Sequence, residues 1–503
     1  MQRLQPSGLH ETWHDTLGDR RHPHADLQHR RWSTSGPPRA AVQLLVDTHV
    51  DRRAFLKVSA VAAGGATLAS GTASGGQVPA PARASAKPIR LGFVGIGGRG
   101  TYHLDCALGM DGVEIPALCE IREGRLQNAK KMVDESGRPA PALYGRGETD
   151  FQRMCESETL DAVICSTSWK WHTPVCLAAM RSDKHAVSEV PIVLTLDEAW
   201  ELIETSEQTG KWATLALEQV LLESGDGMNL ALLNMIKEGV LGEIIHAEGG
   251  YIHDLRLVMH DPEEEPWRLW HSIHRNGNLY PDHPMNTIMP YLDVNHGDRF
   301  DFLMSMSTRS GMLNEFAKTY YAPDHPNVTL PMTQGDYNAT ILRTVDGKLV
   351  TLNHDTHTPH PRGILRVQGS KGVFINGRGL GGPKIYLDGI SPEEHEWEDA
   401  TPYLQEYQHP LIKAYDPPER AALRGHGSGA RRTPLTWSLL VEALRRNEMP
   451  YFDVYDSVTS SVISPLTEQS VANRSKPVDF PDFTRGTWQS RARLDLSNFV
   501  AYV

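Results

Sequence analysis

The chain has few cysteines, no long apolar run and no excess of positive charge. Its 503 residues include five cysteines, an odd number, and all of them fall in apolar strand or helix patterns between residues 106 and 176. We therefore expect core cysteines and not a disulfide framework. No segment has the ~18 continuous apolar residues of a membrane-spanning helix. The net charge of −12 gives no electrostatic reason to expect nucleic acid or an anionic membrane as a partner.

The first 50 residues lack the apolar periodicity of a folded domain, so we expect them to be disordered or to precede the true start of translation. Residues 1–50 are rich in His, Arg and Pro, and Asp51-Arg-Arg-Ala-Phe-Leu-Lys57 precedes an Ala/Gly-rich, weakly apolar run over 58–75. This pattern is similar to a twin-arginine export signal, and Ala84-Ser-Ala86 is typical of a cleavage site. Glycines and serines in the run disfavour the alternative, a membrane span. We predict a leader over residues 1–86, export to the periplasm or outside the cell, and a mature chain beginning near Lys87.

A glycine-rich turn follows the first buried strand pattern. The run Leu91-Gly-Phe-Val-Gly-Ile-Gly-Gly-Arg-Gly100 places Gly95, Gly97 and Gly100 at the G-x-G-x-x-G spacing, which permits a tight turn, close approach of a pyrophosphate and close helix packing. A second apolar run ends in Glu120, about 20 residues beyond the last glycine, where a carboxylate would accept both ribose hydroxyls. The glycine-rich turn and Glu120 together predict a dinucleotide-binding site.

Strand and helix patterns divide the rest of the chain into two domains. Alternating apolar strands and amphipathic helices predict a Rossmann domain with a doubly wound parallel sheet over residues 87–217. From 218 to 503, alternating strands and glycine-bearing turns predict an α+β domain with a largely antiparallel open sheet. Leu435–Arg446 is predicted as a helix that covers one face of that sheet, and a homo-oligomer is expected to form through the open sheet.

Several long strings occur in one order along residues 88–490. They are Gly97-Gly-Arg-Gly100, Trp169-Lys-Trp-His-Thr-Pro174, Glu189-Val-Pro191, Glu248-Gly-Gly-Tyr-Ile-His-Asp-Leu-Arg256, Asn276-Gly-Asn-Leu-Tyr-Pro281, Gly297-Asp-Arg-Phe-Asp-Phe302, Ser470-Val-Ala-Asn-Arg-Ser475 and Val478-Asp-Phe-Pro-Asp-Phe-Thr-Arg-Gly486. On these strings the chain resembles the Gfo/Idh/MocA oxidoreductases, and more specifically glycoside hydrolase family 109. Known members of that family include NAD-dependent α-N-acetylgalactosaminidases.

The resemblance implies a cofactor site and a sugar site. With the glycine turn, the residues implied to contact NAD are Gly95, Gly97, Gly98, Arg99, Gly100, Glu120, Trp169, Lys170, Trp171, His172, Glu189, Val190 and Gln219. Those implied to line the sugar site are Tyr251, Arg268, Tyr280, Pro281, Asp282 and His283. Related dehydrogenases commonly carry Glu-Lys-Pro where this chain has Glu189-Val-Pro191, and a valine cannot assist removal of a hydroxyl proton. This difference favours a glycosidase over a net dehydrogenase.

Sugar-site strings depart from the family more than cofactor-site strings. Tyr280-Pro-Asp-His-Pro-Met-Asn-Thr287 replaces the common Tyr-Pro-Thr-His-Gly-Leu-Gly-Pro, and a family tyrosine near residue 361 is lost. NAD use is thus better supported by sequence than the sugar assignment.

The expected chemistry is transient oxidation at the sugar C3, elimination across C2 and C1, water addition and re-reduction. NAD-dependent glycosidases do not use the usual pair of carboxylates. Imidazole and phenol groups suit the proton transfers, and the candidates are His283, Tyr280, Tyr251 and His253. Tyr251 and His253 lie two apart on an alternating strand and so share a face, although a strand pair without a catalytic role gives the same pattern. His283 is the first choice for the C2 base, with Tyr251 and Tyr280 left open.

Three other interpretations stay open at this point. A Gfo/Idh/MocA-type dehydrogenase would oxidise a sugar or cyclitol and release reduced cofactor. A carbohydrate-binding protein would retain NAD without turnover. A metal site at His354, His357 and His360 is disfavoured, because the segment lacks a recognised ligand spacing.

Overall fold

The computed structural model describes residues 87–218, 220–223, 227–260, 267–377, 379–415 and 434–502. The predicted leader over residues 1–86 and the predicted cofactor residue Gln219 lie outside the described residues. No helix in the described part of the chain is long and apolar enough to cross a membrane.

A six-stranded parallel sheet forms the nucleotide-binding half, with strand order β3-β2-β1-β4-β5-β6. Its strands are β1 (Ile89–Val94), β2 (Val113–Cys119), β3 (Ala142–Tyr144), β4 (Ala162–Cys165), β5 (His185–Ser188) and β6 (Ala213–Thr214). Its helices are α1 (Gly98–Leu108), α2 (Glu123–Glu135), α3 (Asp150–Ser157), α4 (His172–Arg181) and α5 (Leu196–Thr209), and a 3₁₀ turn spans Trp169–Trp171. This strand order is that of a doubly wound Rossmann sheet, so the predicted fold of this half is confirmed.

Two helix starts in this half carry a capping signal in the sequence, Thr195-Leu-Asp-Glu198 for α5 and Thr173-Pro174 for α4, and only the first forms a cap. Thr195 caps α5 through a reciprocal hydrogen-bond pair with Glu198, as the capping box predicts. The expected cap at Thr173 is wrong, because α4 already begins at His172. The Thr173 hydroxyl instead donates 2.8 Å to the carbonyl oxygen of Ile192, in the loop after β5. Thr173 therefore links helix α4 to the loop after β5.

A nine-stranded mixed sheet forms the C-terminal half, with order β14-β13-β12-β11-β7-β10-β9-β8-β15. Its strands are β7 (Ile244–Ile252), β8 (Phe300–Ser307), β9 (Asn338–Thr344), β10 (Leu349–Asp355), β11 (Ile364–Gly369), β12 (Gly372–Gly377), β13 (Lys384–Leu387), β14 (Glu398–Asp399) and β15 (Val478–Asp479). The strand patterns around Asp346-Gly347 and Gly369-Ser-Lys-Gly372 predict two hairpins, and both are present as β9–β10 and β11–β12. The sheet is largely antiparallel, as predicted, but β7 pairs with β10 in parallel.

The helices of this half come mostly from the segments between and after the strands. They are α6 (Val220–Glu223), α7 (Met228–Lys237), α8 (Arg256–His260), α9 (Trp267–His274), α10 (Asp282–Leu292), α11 (Met312–Ala317), α12 (Pro326–Thr329), α13 (Thr401–Glu406), α14 (Pro410–Tyr415), α15 (Leu435–Arg446), α16 (Val454–Ser461) and α17 (Ile463–Ala472), with 3₁₀ segments at Thr487–Gln489 and Leu496–Tyr502. Helix α10 packs on β7 and α17 packs on β8.

Helix α15 corrects one expectation of the sequence. It was expected to cover the antiparallel sheet, but its stripe of Trp437, Leu440, Val441 and Leu444 joins the core of the Rossmann sheet. The spacing of these four residues places them on one helix face. The sequence shows that the stripe exists, and the tertiary structure decides which sheet it covers.

The cysteines behave as the sequence predicts. All five are free thiols, four of them buried and Cys106 half-buried. They pack in the Rossmann half as small apolar side chains.

Candidate active site

A cleft of about 1270 Å³ runs from the glycine turn after β1 to the end of β7 and helices α9 and α10. Ligands of open parallel sheets bind at the carboxyl ends of the strands, and this cleft lies there. Of the described residues that sequence analysis assigned to the cofactor, all but Gly100 line one part of it, and most of those assigned to the sugar line the rest.

The glycine turn leaves open space where a phosphate is expected. Gly95 has a φ of +80°, and a Cβ there would lie 2.8 Å from the backbone of Ser166. A Cβ on Gly100 would collide with the carbonyl oxygen of Gly95, whereas one on Gly98 would meet no atom within 4 Å. The outer glycines thus shape the turn. Gly98 opens the N-terminal end of the eleven-residue helix α1, a place that favours anions.

Glu120 follows β2 directly and is nearly buried in the cleft wall. Its two carboxylate oxygens accept the backbone N–H groups of Ile96, at 2.7 Å, and of Arg122, at 2.9 Å. Each oxygen has further lone-pair capacity. The carboxylate is therefore held rigidly while remaining able to accept ribose hydroxyls.

An ionic cluster borders the cleft beside α1. Arg99 donates to Glu189, at 2.8 Å, and to Glu218, and His103 Nε2 lies 2.6 Å from Glu189 Oε1. Because an indole N–H can only donate, the bond from Trp437 leaves the His103 proton on Nε2, directed at Glu189. Burial raises the pKa of Glu189, but the bond from His103 and the charge of Arg99 outweigh it and lower that pKa to about 2. Glu189 is thus an anion at neutral pH.

The segment after β4 supplies aromatic walls. Trp169 is nearly buried and lies 5.5 Å from the Tyr280 ring in a stacked arrangement. Lys170 and Trp171 also line the cleft, and Lys170 forms an exposed ion pair with Glu148 at 3.2 Å. His172 lies at the base of the wall, with its ring nitrogens 2.7 Å from the Pro191 carbonyl and 3.0 Å from the Thr167 carbonyl. It joins the two loops that form the cofactor part of the cleft.

Three rings meet in the sugar part. The Tyr251 ring centroid lies 4.2 Å from that of Tyr280 and 5.3 Å from that of His283. The centroids of Tyr280 and His283 are 5.0 Å apart. Tyr251 comes from the end of β7, whereas His283 comes from the first turn of α10. The Tyr251 hydroxyl lies 3.0 Å from His253 Nδ1, so the two side chains share a side of the strand as predicted. His253 stands behind Tyr251 and does not itself line the cleft.

Burial sets different protonation states for these groups. Burial raises the pKa of Tyr251 and of Tyr280, so both phenols keep their protons at neutral pH. Burial lowers the pKa of His283 to about 4, and its Nδ1 has no hydrogen-bond partner in the described part of the chain. A neutral imidazole with a free nitrogen is able to accept a proton, and the two phenols beside it are able to donate one.

Two of the predicted sugar residues are placed elsewhere. Asp282 is fully buried, and its Oδ1 accepts from the hydroxyls of Ser460, at 2.9 Å, and Ser461, at 2.6 Å. Neither Asp282 nor its neighbour Pro281 lines the cleft. The expectation that these two side chains contact sugar is corrected, because a helix turns its successive side chains by about 100°. Arg268 does line the cleft, with its guanidinium 4.2 Å above the Trp267 ring.

Other cleft residues were not identified from the sequence. His271 and Arg362 line the sugar part, and Ser166 and Glu218 line the cofactor part. Ser166 Oγ is buried without a hydrogen-bond partner among the described residues. Arg362 has a φ of 111°, a strained conformation that L residues rarely adopt and that often accompanies a functional position. No sequence motif marks these positions, since they come from four distant segments.

Among the described residues, one group has the geometry of a metal site. His103, Glu189 and Glu218 offer ligand atoms within 4.8 Å of one another. However, Arg99 already pairs with both carboxylates of this group. The three histidines whose metal site the sequence disfavours have separate partners: His354 bonds Gln334, His357 lies near Ser272 and Asp336, and His360 accepts from the backbone of Arg362.

The cofactor part of the cleft fits a dinucleotide. It combines an open glycine at a helix N-terminus, a fixed carboxylate after β2 and an unpartnered buried hydroxyl at Ser166. These are sites for a pyrophosphate, a ribose and a further polar group. Residues 89–217 match the oxidoreductase family with an NAD-binding Rossmann fold, and residues 227–490 match the C-terminal domain of glycosyl hydrolase 109.

The chain belongs to glycosyl hydrolase family 109. It is 36% identical over 415 residues to glycosyl hydrolase family 109 protein 1 of Shewanella sp. (strain ANA-3). The matched residues cover 81% of this chain and 88% of that protein. With a protein named alpha-N-acetylgalactosaminidase from Shewanella oneidensis it shares 35% identity over 467 residues, or 89% of this chain and 99% of that one. The family resemblance found in the sequence is confirmed.

Solved structures share the fold of this family 109 chain at low identity. A levoglucosan dehydrogenase in complex with NADH and L-sorbose superposes with a TM-score of 0.57 and 17% identity, covering 79% of this chain and 100% of that one. The WlbA dehydrogenase from Bordetella pertussis, in complex with NADH and UDP-GlcNAcA, superposes with a TM-score of 0.51 and 15% identity, covering 78% of this chain and 99% of that one. The protein is an NAD-dependent glycoside hydrolase built on an oxidoreductase fold.

Proposed function

We propose that the protein is a retaining α-N-acetylgalactosaminidase that cleaves its substrate by transient oxidation at C3. The sugar assignment rests on the relative named alpha-N-acetylgalactosaminidase. The observation that carries the mechanism is the His283 imidazole, which is neutral and half-buried in the cleft, with no hydrogen-bond partner for its Nδ1 among the described residues. It lies against two protonated phenols, Tyr251 and Tyr280.

The carboxylates of the cleft support this mechanism over acid/base hydrolysis by a carboxylate pair. That mechanism requires two carboxyl groups on either side of the scissile bond. In the described lining of the cleft, Glu120 is held by backbone amides, Glu148 pairs with Lys170, and Glu189 and Glu218 pair with Arg99. None of these four lies in the ring cluster of Tyr251, Tyr280 and His283.

NAD held by the glycine turn and Glu120 would supply a hydride acceptor for the sugar C3 and a hydride donor for the final reduction, so the net reaction would be hydrolysis. The protein moves the protons. The protonated Tyr251 phenol takes the C3 hydroxyl proton as it passes its own proton to His253 Nδ1, which lies 3.0 Å away. His283 then removes the C2 proton, which the neighbouring C3 ketone has made acidic.

Loss of the C2 proton breaks the bond from C1 to the aglycone oxygen, and Tyr280 protonates that oxygen. Water then adds to C1 and gives a proton to Tyr280, while protonated His283 returns a proton to C2, so both side chains regain their starting protonation states. The buried rings of Trp169 and Tyr280 limit the access of other water to the oxidised sugar.

The test is turnover of an aryl α-N-acetylgalactosaminide in deuterated water. We expect aglycone release without accumulation of reduced cofactor, and deuterium at C2 of the released sugar by NMR. His283→Gln should reduce the rate by roughly 10²–10⁴-fold. The matched control is His246→Gln, since His246 lies on the opposite face of β7 and bonds Thr351. Aglycone release with no deuterium at C2 would exclude elimination.

The same assay separates the alternative functions. A net sugar or cyclitol dehydrogenase accumulates reduced cofactor in proportion to substrate, and a carbohydrate-binding protein gives neither product. Val190 stands buried in the cleft where related dehydrogenases commonly carry a lysine, which supports the glycosidase over the dehydrogenase.

We further propose that the protein is exported by the twin-arginine route with its cofactor already bound. Arg52 and Arg53 before the Ala/Gly-rich run support export, and an enzyme that regenerates NAD has no need to release it. N-terminal sequencing of secreted protein should give a start near Lys87. A start within the first 50 residues would show that the leader is not processed.

We also propose that two copies associate through the open face of the nine-stranded sheet. Met304, Met306 and Ile341 are exposed on β8 and β9, and Met304 pairs with Ile341 across the strands. An exposed apolar group on a sheet face is a candidate interface. Met306→Lys should yield monomers in light scattering if wild-type protein is a dimer. A monomeric wild-type protein would refute the proposal.

A further inference from the structure

A buried carboxyl connects the sugar part of the cleft with the cofactor loop. Asp282 is the first residue of α10, directly before His283, and none of its surface is exposed. Its Oδ1 accepts from Ser460 and Ser461 of α16, while its Oδ2 has no hydrogen-bond partner in the described part of the chain. A buried carboxyl with an unsatisfied oxygen is costly for stability, so its retention calls for an explanation.

Ser461 continues the connection to the cofactor loop, which we define as residues 189–192. The Ser461 hydroxyl donates to Asp282 and accepts the backbone N–H of Ile192 at 3.0 Å. Glu189 and Val190 of this loop line the cleft. A continuous chain of two hydrogen bonds therefore runs from the loop through α16 to the helix that carries His283.

Neighbouring contacts hold both ends of this chain. On the loop, the carbonyl oxygens of Pro191 and Ile192 accept from His172 and Thr173 of α4. On α10, Asn286 lies one turn after Asp282 and donates 3.0 Å to the backbone carbonyl of Glu218. The loop is thus fixed to the Rossmann half, and α10 is fixed to the strand end beside it.

We propose that Asp282 is a positioning residue that sets the distance between the cofactor loop and His283 through Ser461. It touches neither cofactor nor sugar. The part of the inference that concerns His283 rests on the proposed function, whereas the part that concerns the cofactor loop does not. Side chains that orient a metal ligand typically contribute about 10- to 100-fold to affinity or activity, and we expect an effect of that size here.

The first measurement is the rate at which the purified holoenzyme releases NAD after dilution. Asp282→Ala and Ser461→Ala should each speed release by about tenfold or more, because both interrupt the chain. The double variant should release NAD no faster than the faster single variant, since both changes break one connection. Asp282→Asn retains an acceptor oxygen and should stay within about threefold of wild type.

Ser460→Ala is the matched control. Ser460 also donates to Asp282, but it does not contact Ile192, so NAD release should change by less than about threefold. Equal effects of Ser460→Ala and Ser461→Ala, or additive effects of Asp282→Ala and Ser461→Ala, would overturn the inference. Melting temperatures of the NAD-free proteins identify any variant that merely unfolds, and Ser461→Ala, the smallest change, then decides.

The second measurement is turnover. Asp282→Ala should lower kcat by about 10- to 100-fold with KM changed less than about threefold, because His283 is misplaced while sugar contacts remain. A wild-type enzyme that releases no aglycone refutes the proposed function and leaves the NAD-release result standing. Altered turnover with unaltered NAD release refutes the connection to the loop.

Discussion

The protonation state of His283 gives the sharpest prediction about the active site. Burial lowers the pKa of this imidazole to about 4, against an ordinary value of about 6.5. A base must be deprotonated to act, so activity should be lost only as the pH falls through about 4. The acid limb of kcat/KM reports this group in the free holoenzyme.

The lowered pKa of His283 and the ordinary histidine pKa predict different dependences of kcat/KM on pH. With a pKa of about 4, about nine-tenths of the imidazole stays neutral at pH 5, and kcat/KM falls by less than about 1.2-fold between pH 7 and pH 5. With a pKa of about 6.5, only about 3% is neutral at pH 5, and kcat/KM falls by about 25-fold. The assay is aglycone release in stopped samples across this range, with folding monitored at each pH.

Asp282 also titrates within the pH range of this assay, so its effect on kcat/KM must be distinguished from that of His283. Burial raises its pKa to about 6, although the bonds from Ser461 and Ser460 lower it. The profile is therefore repeated in Asp282→Asn, which should keep the limb near pH 4. A limb near pH 6.5 in both proteins, or full activity of His283→Gln, would refute the assignment of His283 as the base.

Three further predictions concern the cofactor site and stability. Gly98→Ala should leave the NAD-free protein as stable as wild type but weaken NAD binding at least about tenfold. Gly100→Ala should instead destabilise the NAD-free protein by about 1–3 kcal/mol. Thermal melts measure the stability, and titration with NAD measures the binding. Glu120→Ala should weaken NAD binding by about 1.5–3 kcal/mol, while exposed Glu123→Ala should have no effect; equal affinities would remove Glu120 from the ribose site. Burial lowers the pKa of His271 to about 3, so this imidazole and others like it bind protons below about pH 6.5 only after unfolding. The free energy of unfolding, measured by urea titration, should therefore fall by roughly 1.4 kcal/mol per pH unit per histidine below about pH 6.5. A constant free energy of unfolding down to about pH 4 would contradict this.

The cofactor part of the site was predictable because its signals are local. The turn from Gly95 to Gly100 and the carboxylate at Glu120 each follow a strand pattern directly, and parallel strands bring their carboxyl ends to one edge. Alternating strands and helices of short spacing then determine the sheet. The exceptions are Ser166 and Glu218, which line this part of the cleft although no motif marks them.

The C-terminal half depends on pairings that local pattern cannot give. The parallel alignment of β7 with β10 joins strands about a hundred residues apart, and the hairpins on either side are compatible with other orders. Helix α15 has the same apolar stripe whether it covers one sheet or the other. Residues such as His271 and Arg362 enter the cleft through this tertiary arrangement, which is why sequence analysis missed them.

Adjacent residues can also have opposite roles, and Asp282 and His283 illustrate why. Both belong to one string that resembles a family motif, and sequence analysis placed both at the sugar. Once α10 forms, one side chain faces the cleft and the other faces α16. The same helix therefore presents a base to the substrate and anchors itself to the cofactor loop. If both residues contacted sugar, Asp282→Ala would change KM; since Asp282 contacts Ser461, its loss should act on kcat and on NAD release.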